Sequence, residues 1–198
     1  KSLFFAIKKG DVDKVKVLLK EGADPNLRDE EGWTPLNVAV LCRNKKAQKQ
    51  IIAAMLGKKA DPNSGTQSKR KGDMSFPNGM TPLMLASLFV DFDTAELLLK
   101  NGAKVDKVND EGMTALMLVG IYSGKDPKAK TSVDLATLYI KNGADINHKD
   151  KSGMTPLMSA ILSFNVQLTQ FLLDKGADVA VKNKRGETPL LCAIQQIS

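Results

Sequence analysis

A single histidine, two cysteines and a scatter of aspartates are all that this chain offers to conventional catalysis. No Cys-His or Ser-His-Asp arrangement can be assembled around His148, and no cluster has the ligand spacing of a zinc site. The glycines are spread along the chain, so no phosphate-cradling GxxxxGK loop exists. Asp24, Asp61, Asp145 and Asp178 recur in one repeated phrase, where a short carboxylate can bond the local turn backbone. No enzyme, no metal and no cofactor is expected. The chemistry that these residue types do suit is adhesion. Eight methionines accompany the one tryptophan. A thioether side chain moulds to varied apolar partners, and tryptophan is the residue type most enriched at binding hot spots.

The elements that must position these side chains repeat. Gly-x-Thr-Pro-Leu opens at Gly32, Gly79, Gly153 and Gly186, with a near-copy at Gly112, and Gly-Ala-Asp-x-Asn or a variant starts at Gly22, Gly102, Gly143 and Gly176. The threonines at 34, 81, 114, 155 and 188 are spaced by 47, 33, 41 and 33 residues. A fixed period of this kind means stacked units rather than one globular core. A Thr oxygen can cap a starting helix, and Pro is tolerated at its first position. A second helix then ends in Leu-Leu, and the following glycine suits a left-handed stop. The unit reads as helix, turn, helix, hairpin.

These phrases resemble the ankyrin repeat over essentially the whole chain. The resemblance implies an all-α repeat solenoid with β-hairpin-like fingers, projecting toward a concave face lined by the first helices. It is expected as one domain over 1–198, with units of about 1–31, 32–78, 79–111, 112–152 and 153–185, and a partial unit at 186–198. Ile194 and Ile197 end that half-unit uncovered, so the natural chain is expected to continue. The family's usual His after Thr-Pro-Leu is replaced by Asn37, Met84, Met117, Met158 and Leu191. Thr114 is followed by Ala115. Lys59 stands where a stop glycine belongs, and that helix end is expected to rearrange around Gly57.

Mapped onto the repeat, the residue after each opening glycine faces the groove at the finger base: Trp33, Met80, Met113, Met154 and Glu187. Further groove-facing slots hold Leu41, Leu88, Ile121 and Leu162, then Cys42, Phe89, Tyr122 and Ser163. Met84, Met117 and Met158 lie four residues after a finger-base methionine, on the same helical side. The stripe has two readings. It is either packing along the seam between first helices or an exposed apolar groove for a partner protein or peptide. The groove is preferred as the partner-binding site.

The net charge is +7. Inserted segments 43–49, 64–78 and 123–131 hold ten basic residues against Asp73 and Asp126, so the rest of the chain is about −1. The second unit's four extra residues are expected between its helices. Lys69, Arg70 and Lys71 ride on a lengthened finger and are candidate contacts for an acidic partner. No aromatic residues interleave with the basic clusters, which argues against a nucleic-acid stacking platform. The alternative readings are electrostatic docking on acidic lipid or nucleic acid, and a targeting domain of a larger enzyme or channel. A monomer is expected. The cysteines fall in repeats two and six, too far apart in such a stack to bridge, which leans toward a reducing, cytoplasmic setting. No apolar run approaches the roughly 18 residues of a membrane span.

Overall fold

A computed structural model describes residues 2–67, 77–119 and 131–195. They form ten α-helices and one 3-10 turn, with no strand among the described residues. The helices come in pairs: α1 (Leu3–Lys9) with α2 (Val12–Lys20), α3 (Pro35–Val40) with α4 (Lys45–Leu56), and α5 (Pro82–Leu88) with α6 (Phe92–Lys100). The 3-10 turn Leu116–Leu118 and α7 (Ser132–Lys141) make the fourth pair, α8 (Pro156–Leu162) and α9 (Val166–Asp174) the fifth, and α10 (Pro189–Gln195) stands last. The chain divides into two compact units, Lys1–Ala86 with Asp93–Lys104, and Ser87–Phe92 with Val105–Ser198. In the first unit α1 stacks on α3 and α2 on α4. In the second, α8 packs against the 3-10 turn and α10, and α7 against α9.

The first helices start where the threonines stand. Thr34 accepts a bond from the Asn37 backbone at 3.2 Å, and Asn37 answers with its side chain, closing a capping box. Thr81 accepts from Met84 at 3.2 Å and Thr155 from Met158 at 3.4 Å. Each bond satisfies an amide that the first helical turn would otherwise leave open. The Thr114-Ala115 departure has a structural counterpart. No cap forms there, the helix shrinks to the three residues Leu116–Leu118, and the Thr114 hydroxyl is buried without a partner. A different polar pair lies in the second unit's core, where the Ser87 and Tyr139 hydroxyls meet at 2.7 Å. Burial pushes the Tyr139 phenol well above its ordinary pKa, against the opposing pull of that bond.

The second helices stop in left-handed residues: Gly22, Gly102, Gly143 and Gly176 all have φ between 83° and 93°. Lys59 does the same with φ 63°, while Gly57 remains right-handed at φ −62°. The expected rearrangement around Gly57 therefore does not occur. Ala60 donates to Met55 O at 3.0 Å just as Ala103 does to Leu98 O, so the chain keeps the stop geometry and accepts lysine in a glycine's conformation. The inserted residues of the second repeat also differ from expectation. They go mostly into α4, which has twelve residues against nine in α6, so Lys45, Lys46 and Lys49 lie on a helix rather than in a loop. Of the other inserts, 68–76 and 123–130 lie outside the described residues, and with them Lys69, Arg70 and Lys71.

Four of the fingers are closed by one repeated device. Asp29, Asn109, Asp150 and Asn183 each accept two backbone N–H bonds through the side chain, from the residues two and four positions on. The same residue's N–H then donates to the carbonyl four positions on, at 2.9–3.1 Å. The opening glycine sits inside the turn. At Gly112 an added Cβ would come within 2.9 Å of the Lys151 backbone nitrogen, so no larger residue fits.

The last residue of the second phrase reaches across to the next repeat. In the first unit Asn26 accepts from Asp61 N at 2.7 Å and donates to Lys59 O at 3.1 Å, and Asn63 accepts from Lys104 N at 2.7 Å and donates to Gly102 O at 2.9 Å. In the second, Asp145 N donates to Asp106 at 3.1 Å and Asp178 N to Asn147 at 2.8 Å.

Three outcomes follow from this framework. Thr34→Val should lower the free energy of unfolding by about 1 kcal/mol through loss of the cap. Thr114→Val should leave it unchanged or raise it, since no bond is lost and a buried hydroxyl is removed. Lys59→Gly should raise stability by up to about 1 kcal/mol, the relief of left-handed strain less glycine's greater chain entropy. Urea denaturation followed by circular dichroism measures all three.

Candidate partner-binding face

The residues of the stripe do not share one environment. Met80, Met84, Leu88, Met117 and Met158 are buried, each at most 2% exposed. For these five the packing reading holds, and a partner cannot reach them in this conformation. Met84, Met117 and Met158 fill the slot three residues past Thr81, Thr114 and Thr155, and all three side chains are buried. At Thr81 the backbone N–H even lies 3.5 Å from the Met84 sulfur. Asn37, in the same slot of the second repeat, uses its amide to donate to Met80 O at 3.3 Å and Ser64 O at 3.4 Å. One slot thus holds a polar side chain bonded to the next repeat in one case and a buried methionine in three others.

Trp33, Met113, Met154 and Leu162 are half-buried, and Leu41 and Phe89 are exposed. Ile121 and Tyr122 lie outside the described residues. Glu187 stands in the finger-base slot of the last repeat and points a carboxylate where the others offer apolar surface. The Asn183 amide at 2.7 Å, with Arg185 beside it, holds that carboxyl below its ordinary pKa.

In the first unit Trp33 and Leu41 come together in an open cleft of about 540 Å³. Trp33, Val38, Leu41 and Cys42 supply its apolar surface. Asp29 and Glu31 line it from the finger, Lys8 and Lys9 from the last turn of α1, and Arg43 from the turn between α3 and α4. Trp33 immediately precedes the cap of α3 and Leu41 follows its last turn, so the cleft runs the length of that short helix. The finger side is fixed by the Asp29 turn, whose carboxylate accepts from Trp33 N at 2.9 Å. Arg28 braces it from beneath, donating to Gly32 O and Gly65 O at 2.8 Å and to the Ser64 hydroxyl at 2.9 Å. On the opposite side Gly10 brings the end of α1 against Cys42, whose sulfur would lie 3.8 Å from a Cβ placed there.

Of the residues singled out in the sequence, Trp33 and Leu41 both line this cleft. The charged walls were not among them, although Asp29 and Glu31 stand only four and two residues before Trp33. His148 Nε2 lies 2.9 Å from Gly112 O and ties two neighbouring fingers together. Both cysteines are free thiols. Among the described residues no His, Cys, Asp or Glu cluster could hold a metal ion, and no helix is long and apolar enough to cross a membrane.

This chain belongs to the ankyrin-repeat family. The family model for ankyrin repeats in three copies matches residues 47–126 and 128–198, and that for ankyrin repeats in many copies matches 3–49. The chain is similar to a putative palmitoyltransferase ZDHHC13 of Danio rerio, 31% identical over 59% of this chain and 21% of the relative. It is similar to the 2-5A-dependent ribonuclease of Mus musculus, 39% identical over 44% of this chain and 10% of the relative. A human relative, transient receptor potential cation channel subfamily A member 1, is 31% identical over 56% of this chain and 9% of its own length. The chain thus spans about a fifth or less of the length of these relatives. Ankyrin repeats generally mediate protein–protein interaction and are typically non-catalytic.

The division of the stripe into buried and accessible positions is testable. Met84→Lys would bury a charge in the stack and should destabilise the fold by more than about 3 kcal/mol. Leu41→Lys should change stability by no more than about 0.5 kcal/mol. Equal losses in urea denaturation would place Leu41 in the core.

Proposed function

We propose that this chain is a non-catalytic recognition module, and that the cleft at Trp33 and Leu41 takes an apolar side chain of a partner polypeptide. The observation that carries this reading is a tryptophan half-exposed at the mouth of an open cleft, on a finger braced by Arg28 and the Asp29 turn. A rigid aromatic in a preformed hollow gives up little conformational entropy when a partner arrives. In the second unit Met113, Met154, Leu162 and Phe89 offer accessible apolar surface at corresponding positions, and they extend the proposal to that unit.

The lengths of the relatives favour a second, compatible reading. In the enzymes and the channel to which this chain is similar, the matched stretch is only 21%, 10% and 9% of the relative's length. A module that selects a partner or substrate on behalf of a larger enzyme or channel fits that proportion.

Capture on immobilised protein separates cleft binding from electrostatic docking. A protein held at both ~50 mM and ~500 mM salt, and lost from Leu41→Lys, is the expected result, because apolar contact survives screening. Retention only at low salt, unchanged in Leu41→Lys, would move the function to the basic surface and overturn the cleft.

A further inference from the structure

The walls of the cleft carry opposite charges, and they do so at opposite ends of α3. Asp29 and Glu31 lie on the finger, just before the helix begins. Arg43 lies just beyond its end, and Lys8 and Lys9 close the last turn of α1, which packs on α3. Between them the surface is apolar, formed by Trp33, Val38 and Leu41. These charges are not consumed inside the protein to the same degree. Asp29 commits one carboxylate oxygen to its own turn, with bonds from Glu31 N at 3.1 Å and Trp33 N at 2.9 Å. Lys9 lies over the Phe5 ring, 5.8 Å from its centre. Glu31, Lys8 and Arg43 are exposed.

Distance selects the occupant. The six residues of α3 span about 9 Å at ~1.5 Å per residue, and the charged side chains stand just beyond either end. In an extended chain residues i, i+2 and i+4 point to one side, and the outer two are about 13 Å apart. Such a segment matches the cleft end to end. A helix rises only about 6 Å over the same four steps, so with this i, i+2, i+4 spacing only the extended segment reaches both walls.

We propose that the cleft selects an extended segment of a partner protein with a basic side chain, an apolar side chain and an acidic side chain at alternate positions. The basic residue meets Asp29 and Glu31, the apolar residue lies over Trp33 and Leu41, and the acidic residue meets Lys8 and Arg43. This rests on the cleft reading above and adds the chemistry of the partner to it. Complementary charge fixes register and rejects segments of a single sign, since like charges brought together repel. Neither wall alone would do so.

Trp33 is the only tryptophan of the chain, so its emission reports the cleft alone. Titration with four capped nine-residue peptides, alike except at two positions, tests the proposal. All carry a central leucine; the residues two positions before and after it are Lys and Glu, Lys and Lys, Glu and Glu, or Ser and Ser. The mixed peptide should bind about fivefold more tightly than the serine peptide at ~50 mM salt, from two exposed charge pairs, and lose that advantage at ~500 mM. In the double variant Lys8→Glu, Arg43→Glu, whose exposed positions should leave the melting temperature unchanged, the preference should pass to the two-lysine peptide. A serine peptide that binds as well as the mixed one would overturn the charge pattern and leave the apolar cleft standing. A Trp33 emission that none of the four peptides alters would overturn the cleft together with it.

Discussion

The stack depends on a hydrogen bond that leaves one repeat and enters the next. A helix pair of this size has too little apolar surface to persist alone, and gains stability only when a neighbour covers its open face. Apolar packing by itself leaves the register between neighbours loosely defined. The side chains of Asn26, Asn63, Asp106 and Asn147 set it. Each accepts a backbone N–H of the following repeat, and the first two also return a proton to one of its carbonyls. Asparagine satisfies both a donor and an acceptor from one amide, whereas Asp106 can only accept. The second phrase of the repeat is therefore a connector, and the glycine before it exists to bring the connector's target within reach.

That constraint explains why lysine is tolerated at position 59. The Lys59 carbonyl is a target of the Asn26 amide and its neighbour Asp61 supplies the N–H, so the local backbone must take the stop geometry whatever residue stands there. The connector over-determines the conformation, and the strain of a left-handed lysine, about 1–2 kcal/mol, is offset by bonds on both sides of it. Val90 and Phe164 show the same at the turns between helices, with φ of 51° and 54° where the first repeat has Gly10. Helix placement there is imposed by packing, and the turn residue complies.

Much of this was legible in the chain. Capping threonines, stop glycines and period announced the helix pairs, because each is a local signal with a local cause. What escaped reading depended on neighbours in space. The extra residues of the second repeat lengthened α4 because the run Lys45–Leu56 can keep an apolar side, with Ile51, Ile52 and Met55 fully buried, and arithmetic on spacing cannot tell a longer helix from a longer turn. The methionine stripe shared one helical side, yet its members met different surroundings: those three residues inside the cap turned into the stack, and those at the finger base of repeats four and five stayed half-exposed. The cleft itself is assembled from α1, one finger and the turn after α3, three places that no single periodicity connects.

The substitution of methionine for the polar residue that follows Thr-Pro-Leu has a consequence for recognition. At Asn37 the slot holds neighbouring repeats together through directed bonds to Met80 O and Ser64 O. At Met84 and Met158 the side chains are fully buried and Met117 nearly so, which exchanges a directional link for buried area. Sulfur chemistry that could have lined a groove is thereby spent on cohesion. The accessible surface of the first unit is left to residues at the two ends of its inner helix, the finger and the turn, and these are where charge can stand without being buried. A cleft with an apolar middle and charged ends is the natural product of that partition. Its apolar part supplies contact area and its ends supply discrimination, because an exposed charge pair adds little affinity whereas a like-charged mismatch rejects.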